Sequence, residues 1–467
     1  MSNRDRPRIH FVSLGCSKNR VDTEIMVGVA AQVGHALEPE AAEADVIVVN
    51  TCGFIGPAKE ESIDTILEMA EFKTAGRCKT LVVAGCLSQR YADQLAGEMP
   101  EVDHFLGSSD MLRLDDVLKG EASRMLVGNP AAYTLRASDP RVLSQGAHSA
   151  YLKIAEGCNR RCSFCAIPAI RGKQRSRPIA DVVEEARRLV DGGVVELNLV
   201  SQDTVAFGRD RDGGETLAQL VRALGALGGL RWLRLHYLYP ETLDDELIEL
   251  LGSHPVVVPY VDMPLQHASD AMLRRMRRGH GGARLRRVVE RLRERVKGLV
   301  FRTAFIVGHP GEGDADFDEL CEFVRWAQFD HVGVFRYSDE EGVASHGQEA
   351  KVPAKVSAAR HKKLMAVQRP IARARNRTRV GSTVDVLVEG TSGEHEFVMQ
   401  GRHAGQAPEV DGNVYLSGGD FVTGTIVPVR VVQAADYDLA AESLDAPAEL
   451  DAERPRPRRK VALRTVG

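Results

Sequence analysis

Cys158, Cys162 and Cys165, in the stretch YLKIAEGCNRRCSFCAIPAIRGKQRSR, carry the most specific chemistry of this 467-residue chain. They stand at Cys-x-x-x-Cys-x-x-Cys spacing just after a short apolar strand. Three thiolates that close together can hold three corners of a cubic [4Fe-4S] cluster. With no fourth cysteine nearby, the fourth iron stays open to a substrate or cofactor. The competing reading is a zinc knuckle, which closes its metal with four ligands from paired Cys-x-x-Cys or Cys/His sets, and no such partner lies near.

The elements that must position these thiols belong to a chain long enough for several domains. Its formal charge of −4, from 61 basic and 65 acidic residues, favours neither a nucleic-acid nor a membrane partner overall. No apolar run approaches the about 20 residues of a membrane span, and MSNRDRPRIH has no signal-peptide core. A cytoplasmic location is therefore expected, where eight cysteines point to metal or catalysis rather than disulfides.

Residues 1–120 alternate the apolar runs IHFVSL, DVIVVN and TLVVAG with helices starting near Val21, Pro57 and Ser88. This pattern predicts a small parallel-sheet α/β domain with helices on both faces. Cys16, Cys52 and Cys86 each fall just past the C-terminal end of one of these strands. In an open parallel sheet those ends share one edge, so the three can converge on a second three-cysteine cluster site. A glycine beside each lets the backbone come close to a bulky inorganic group. Singly, each would more often be a small core residue. Cys78 precedes its strand, at the opposite edge, and is expected to hold no metal. Cys321 shares a helical face with Phe317, Leu320 and Val324 and is expected to be core.

Residues 121–148, rich in Gly, Ser, Ala and Pro, read as a linker. From 149 to 350, six strand patterns with intervening helices (180–191, 242–252 and 269–297 among them) predict a partial (β/α) barrel with its chemistry at the C-terminal strand ends. The many arginines of 269–297 read as a solvated helix face rather than an RNA stripe, because apolar residues recur there at helical spacing. Residues 351–380 form a basic helical connector, expected to be interrupted at Pro370. Residues 381–440 predict a small antiparallel β-barrel. From Gly381 to Asp436 eight acids (Asp385, Glu389, Glu394, Glu396, Glu409, Asp411, Asp420 and Asp436) face only Arg402 and Arg430, a net of about −6, which would repel phosphates and attract a basic protein. Residues 441–467, Pro- and Arg-rich, read as a disordered tail.

The cysteine spacing at 158–165 is similar to that of the radical S-adenosylmethionine (SAM) enzymes, in which SAM chelates the open iron through its amino and carboxylate groups. That resemblance implies SAM contacts at strand ends: Glu196 near the amino group, Gln266 in YVDMPLQHASD beside Asp262 and His267, and Gly308 and Gly311 of FIVGHPGEG at an adenine-binding edge. With its three domains and six placed cysteines, the chain up to about Ala440 resembles the radical-SAM methylthiotransferases, whose C-terminal barrel is a TRAM domain. SLGCSKNRVDTE, CAIPAIRGKQRSRP, YSDEEG and GRHAGQAPEVDGNVY resemble the RimO branch, which modifies an aspartate of a small-subunit ribosomal protein. The Tyr-Gly-Cys-Gln-Met-Asn type of first motif, typical of the tRNA-modifying branch, is missing. Val343-Ala344 departs from relatives that often carry Thr or Ala-Thr.

The resemblance implies two [4Fe-4S] clusters, with no catalytic residue beyond the cluster ligands. The cluster on Cys158, Cys162 and Cys165 reduces SAM to a deoxyadenosyl radical that abstracts hydrogen from the aspartate β-carbon. The cluster on Cys16, Cys52 and Cys86 carries the sulfur that a second SAM methylates. A basic small-subunit ribosomal protein, a flavodoxin-type electron donor and a sulfur donor are the implied partners, with nucleic acid not required. Two rival readings stay open: a tRNA adenosine methylthiotransferase, and a non-catalytic iron-sulfur RNA-binding scaffold.

Overall fold

The computed structural model describes residues 6–144, 146–393 and 398–444. Strands β1 (Arg8–Ser13), β2 (Ala36–Leu37), β3 (Val46–Thr51), β4 (Thr80–Gly85), β5 (His104–Leu106) and β6 (Met125–Leu126) form one parallel sheet in the order β2-β1-β3-β4-β5-β6. β3 is buried along its whole length, which is why VIVVNT shows no polar alternation. Successive residues feed opposite layers. Val46 and Val48 pack with Val21, Ile25 and Val29 of the helix Ser17–Val33, whereas Ile47 and Val49 pack with Ile66 and Met69 of the helix Gly56–Ala75.

The stretch 121–148 is not merely a crossing. Its Met125–Leu126 completes the sheet edge, and Arg141 pairs with Glu24 at 2.7 Å and Glu185 at 2.5 Å, all three side chains buried. The low periodicity of this segment concealed contacts made by single residues.

The central domain continues with β7 (Ser149–Lys153), β8 (Ala155–Glu156), β9 (Arg175–Ser176), β10 (Glu196–Val200), β11 (Trp232–Leu235), β12 (Tyr260–Asp262), β13 (Val300–Val307) and β14 (His331–Arg336). β7, β10 and β11 form one parallel sheet and β12, β13 and β14 another, joined by a parallel bridge between Leu233 and Val257. The six strands thus follow each other around an open barrel. β8 and β9 pair antiparallel and close the base of the loop that carries the three neighbouring cysteines.

Two helical expectations need correction. The 269–297 segment is two helices, Asp270–Arg275 and Gly282–Arg295, because Arg277 and Gly279 take φ of 55° and 75° and the run GHGG cannot sustain a helix. The helix Ala354–Arg377 runs through Pro370 without interruption. It is held on both sides of the proline, by Leu364 and Ile371 in the apolar core and by Gln368 Nε2 donating to the Phe329 carbonyl at 2.8 Å.

At the C-terminus β15 (Thr383–Thr391), β16 (Met399–His403), β17 (Val414–Ser417), β18 (Ile426–Ala434) and β19 (Leu439–Ser443) close a five-stranded barrel in which β17 and β19 pair parallel and the other pairs antiparallel. Its segment 402–411 enters the open barrel from the N-terminal strand ends and meets one residue from each of the six strands. Tyr151 donates to the Pro408 carbonyl, Glu196 pairs with Arg402 at 2.6 Å, and Arg234 donates to the Ala404 carbonyl at 2.9 Å. Tyr260 donates to Asp411 at 2.6 Å, Arg302 pairs with Asp411 at 3.3 Å, and His331 Nε2 lies 3.1 Å from the Gly405 carbonyl.

Several of the barrel's acids are paired within the chain. Glu389 pairs with Arg402, Glu409 with Arg20, Asp411 with Arg302 and Asp436 with Arg373. Asp385 and Asp420 are exposed, while Glu394 and Glu396 lie outside the described residues. Net charge counted along the sequence ignores partners brought from other domains. β19 also runs past the expected boundary at 440, and the tail from 445 lies outside the described residues.

Candidate functional site

The first cysteine triad is assembled by the sheet. Cys16, Cys52 and Cys86 follow β1, β3 and β4, whose pairing register brings Ser13 beside Asn50 and Thr51 beside Gly85. Gly15 (φ 90°) is required by this approach: a Cβ there would lie 2.9 Å from Cys52 Cβ. A Cβ on Gly53 would lie 2.8 Å from the Cys86 carbonyl. Asn19 stitches the three loops together. Its Nδ2 donates to the Leu14 carbonyl at 3.1 Å and to the Thr51 carbonyl at 2.8 Å, and its Oδ1 lies 3.5 Å from Cys86 Sγ.

The second triad sits on one loop. Cys158 N–H donates to the Gly172 carbonyl at 3.1 Å, and Gly157 (φ 81°) passes so close to Lys173 that a Cβ would lie 2.2 Å from its carbonyl oxygen. Arg160 N–H points at Cys158 Sγ (3.4 Å), and Arg278 Nη1 donates to Cys162 Sγ (3.3 Å). Arg278 comes from the break between the two helices that the sequence pattern had run together. The signal for it was the glycine-rich GHGG that follows.

A buried polar network runs from Cys86 of the first triad to Glu156, at the base of the loop that carries the second. Lys153 donates to Asp22 and, at 2.9 Å, to Glu156; Arg171 donates to Asp22 at 2.7 Å, Glu156 at 3.4 Å, Asn19 at 2.5 Å and Cys86 Sγ at 3.2 Å. Gln202 Nε2 donates to the other oxygen of Glu156 at 2.7 Å. Burial pushes the Glu156 carboxyl up, but Lys153 and Arg171 outweigh it and hold the group down to about 2. Across the mouth, Lys18 Nζ lies 3.5 Å from the Tyr237 ring centroid, and Glu340 of YSDEEG pairs with Lys59 and Arg90, both at 2.8 Å. Glu156, Arg171 and Gln202 were not singled out from sequence, and Arg278, read as one of the arginines of a solvated helix face, is buried instead. Glu156 directly precedes Gly157-Cys158, and Gln202 follows a strand end, so position offered a signal for both.

The electrostatics fit thiols that await a cation. Burial pushes Cys52 up to about 12, Cys158 to about 11 and Cys165 to about 12, and raises Cys86 against the pull of Arg171. Cys16 is the exposed member of its triad; desolvation by the surrounding protein acts upward on it, but Lys18, the Asn19 backbone N–H and Arg171 bring it below the ordinary thiol value. Bound iron ionises a coordinating thiol outright, so metal relieves this cost. All six cysteines are free of disulfides. Among the described residues no group of three Cys, His, Asp or Glu is close enough to hold a single metal ion. A cubic cluster spreads its ligands over separate irons. Asp203 Oδ1, on the side chain that holds Arg160 of the cysteine loop, and Gln202 Oε1, on the side chain that donates to Glu156, are buried without a partner among the described residues, suited to a polar ligand such as SAM.

The expected SAM contacts fare unevenly. Glu196 is the first residue of β10, at the barrel end opposite the cysteines, and is fully buried between Arg234 at 3.0 Å and Arg402 at 2.6 Å. It is a structural ion-pair centre, and reading its carboxylate as SAM-facing mistook the start of a strand for its end. Gly308 and Gly311 have φ of 80° and 82°, but their missing side chains make room for Ser357 and the Arg275 guanidinium of this same chain. Gln266 (φ 71°) lies on the C-terminal rim, its backbone paired to Ala304 and Ile306. Asp262 is engaged by His236 and Arg302. His267 is buried and neutral, pushed by desolvation down to about 3. Cys78 and Cys321 are buried in apolar layers away from both triads. The arginines of the 282–295 helix largely serve the chain itself: Arg291 pairs with Asp245, Arg286 stacks on Trp326, and Arg284 donates to the Glu241 carbonyl.

Comparison with known proteins agrees with this architecture. Residues 8–107 match the model of uncharacterized protein family UPF0004, residues 152–324 the radical SAM superfamily, and residues 380–444 the TRAM domain. The chain is 62% identical to the ribosomal protein uS12 methylthiotransferase RimO of Sorangium cellulosum, across 98% of this chain and 97% of that protein. It is 51% identical to the enzyme of the same name from Myxococcus xanthus, across 94% and 92%. Among solved structures it is similar to the radical SAM methyltransferase TsrM of Kitasatospora setae, with a TM-score of 0.53 at 15% identity over 71% of this chain and 73% of that one, a likeness of fold alone. On this identity, sustained over nearly its whole length, the chain belongs to the RimO family of radical-SAM methylthiotransferases.

Proposed function

We propose that this protein is a cytoplasmic enzyme that inserts a methylthio group at the β-carbon of an aspartate in ribosomal protein uS12. The observation that carries this reading is the 62% identity to the ribosomal protein uS12 methylthiotransferase RimO of Sorangium cellulosum over nearly the whole chain, beside two separate thiol triads in the fold. Cys158, Cys162 and Cys165 would hold the cluster that binds SAM, and Cys16, Cys52 and Cys86 a second one. Together with SAM these cofactors supply the radical and the methylthio group. The chain's own residues do the rest. Gln202 and Asp203 offer polar atoms beside the Cys158 loop, and Gln266 lies on the same barrel edge. Arg278 and the Arg160 N–H orient the Cys162 and Cys158 sulfurs. Lys18 over Tyr237, and Glu340 between Lys59 and Arg90, hold the N-terminal sheet against the barrel mouth.

A basic substrate is not explained by the acids of the C-terminal barrel, since most of the described ones are paired inside the chain. We assign electron delivery to a flavodoxin-type protein and sulfur to a separate donor. The test is anaerobic incubation of reconstituted protein with uS12, SAM, sulfide and reductant, read by peptide mass spectrometry. A methylthio adduct on one aspartyl peptide is the expected result. An unmodified uS12 together with methylthioadenosine in added tRNA would overturn it.

A further inference from the structure

Arg171 stands out among the buried charges. Its side chain is 2% exposed, and it lies within reach of elements from both halves of the site. One amino group donates to Cys86 Sγ and Asn19, the other to Asp22 and Glu156. Arg171 and Lys153 balance Asp22 and Glu156 in number, yet the four charges are not symmetrically disposed. The guanidinium faces the sulfur, and among these contacts it is the one that touches Cys86. At a buried position this ordering is felt strongly, because bulk solvent screens it little.

Reduction adds negative charge to an iron-sulfur cluster, so a positive neighbour and an N–H donated to a ligand sulfur both favour the reduced form. We infer that Arg171 is a positioning residue that raises the reduction potential of a cluster held by Cys16, Cys52 and Cys86, through its contact with the Cys86 sulfur. Glu156, on the far side of Arg171, opposes that effect. Because Gln202 and the Cys158 loop adjoin Glu156, the potential of one site becomes sensitive to how the other is arranged. The inference rests on the proposed ligand role of those three cysteines.

Both can be tested in the full-length chain carrying Cys158→Ala, Cys162→Ala and Cys165→Ala, reconstituted with iron and sulfide. Its iron content reports the ligand reading, and an EPR-monitored redox titration reports the potential. Arg171→Met is expected to keep its iron and shift the midpoint to a lower potential, with Arg171→Lys recovering part of the shift. Glu156→Gln is expected to shift it upward. A purely structural role would alter iron content and stability without this pair of opposite shifts. An unchanged or raised midpoint in iron-loaded Arg171→Met overturns the inference while leaving the ligand reading intact. Should Arg171→Met lose its iron, Glu156→Gln decides: a raised midpoint supports the inference, an unchanged or lowered one overturns it. A parent chain without iron overturns the ligand reading, and the inference with it.

Discussion

The two thiol triads are assembled by opposite routes. Cys158, Cys162 and Cys165 lie on one loop whose base is closed by the pairing of Ala155–Glu156 with Arg175–Ser176. Cys16, Cys52 and Cys86 come from three strand ends and exist as a group because the strands pair in one register. The loop site is local and written in its spacing. The sheet site is a property of the folded domain, and anything that shifts a strand end dismantles it.

The comparison breaks most decisively at the ligands themselves. Replacing Cys158, Cys162 and Cys165 together by Ala should abolish SAM cleavage and halve an iron content of about eight per chain, expected for two cubic clusters. Replacing Cys16, Cys52 and Cys86 should also halve the iron but leave SAM cleavage measurable. Full iron in the second variant would mean the sheet edge is not a cluster site.

Next in size is the buried pair at the far end of the barrel. Glu196→Gln leaves Arg234 without a partner carboxylate and Arg402 with Glu389 alone, and should cost about 3–5 kcal/mol in a denaturant titration. Loaded protein that remains folded should still cleave SAM, since Glu196 is remote from the thiols. Loss of cleavage at unchanged stability would return Glu196 to the SAM site. Burial pushes Glu196 up, but Arg402 and Arg234 prevail and hold it well below the usual carboxylate range. Its stabilisation is therefore complete above the unfolded value of about 4.3 and declines as the pH falls below it. In the Gln variant this part of the acid sensitivity should vanish.

A smaller change sharpens the difference between the triads. Gly15→Ala forces a left-handed φ on a residue with Cβ, about 1–2 kcal/mol, and drives that Cβ onto Cys52. Iron should fall selectively at the sheet site, with SAM cleavage kept. The smallest effects belong to Cys78→Ala and Cys321→Ala. Both should retain full iron and lose about 1 kcal/mol of stability as small cavities open. Loss of a cluster in either would show that the ligands are wrongly assigned.

How much was legible in advance depended on range. The strand patterns of both α/β domains, the Cys158–Cys162–Cys165 loop and the small barrel follow from periodicities and spacings within a few residues of each other. Glu196 was misread because the alternation that announces a strand does not say which end meets the cofactor until the strand's limits are known. The 269–297 segment was misread because its apolar recurrence spans GHGG, although those glycines were in plain view. The acids of the C-terminal barrel were misread because Arg20, Arg302 and Arg373 reach them from elsewhere in the chain.

The sequence by itself determined which thiols the loop can offer, since thiol identity and Cys-x-x-x-Cys-x-x-Cys spacing restrict what a short loop can bind. It also determined the α/β character, because burial on both faces demands continuous apolar strands. Only the tertiary structure decided where the four family-like stretches act. SLGCSKNRVDTE and CAIPAIRGKQRSRP meet through Asn19, Asp22 and Arg171, YSDEEG docks on Lys59 and Arg90, and GRHAGQAPEVDGNVY fills the open barrel. Each of these contacts joins residues from distant parts of the chain. Their partners are chosen by how the domains pack, because a buried charge is stable only where another part of the chain delivers its counter-charge.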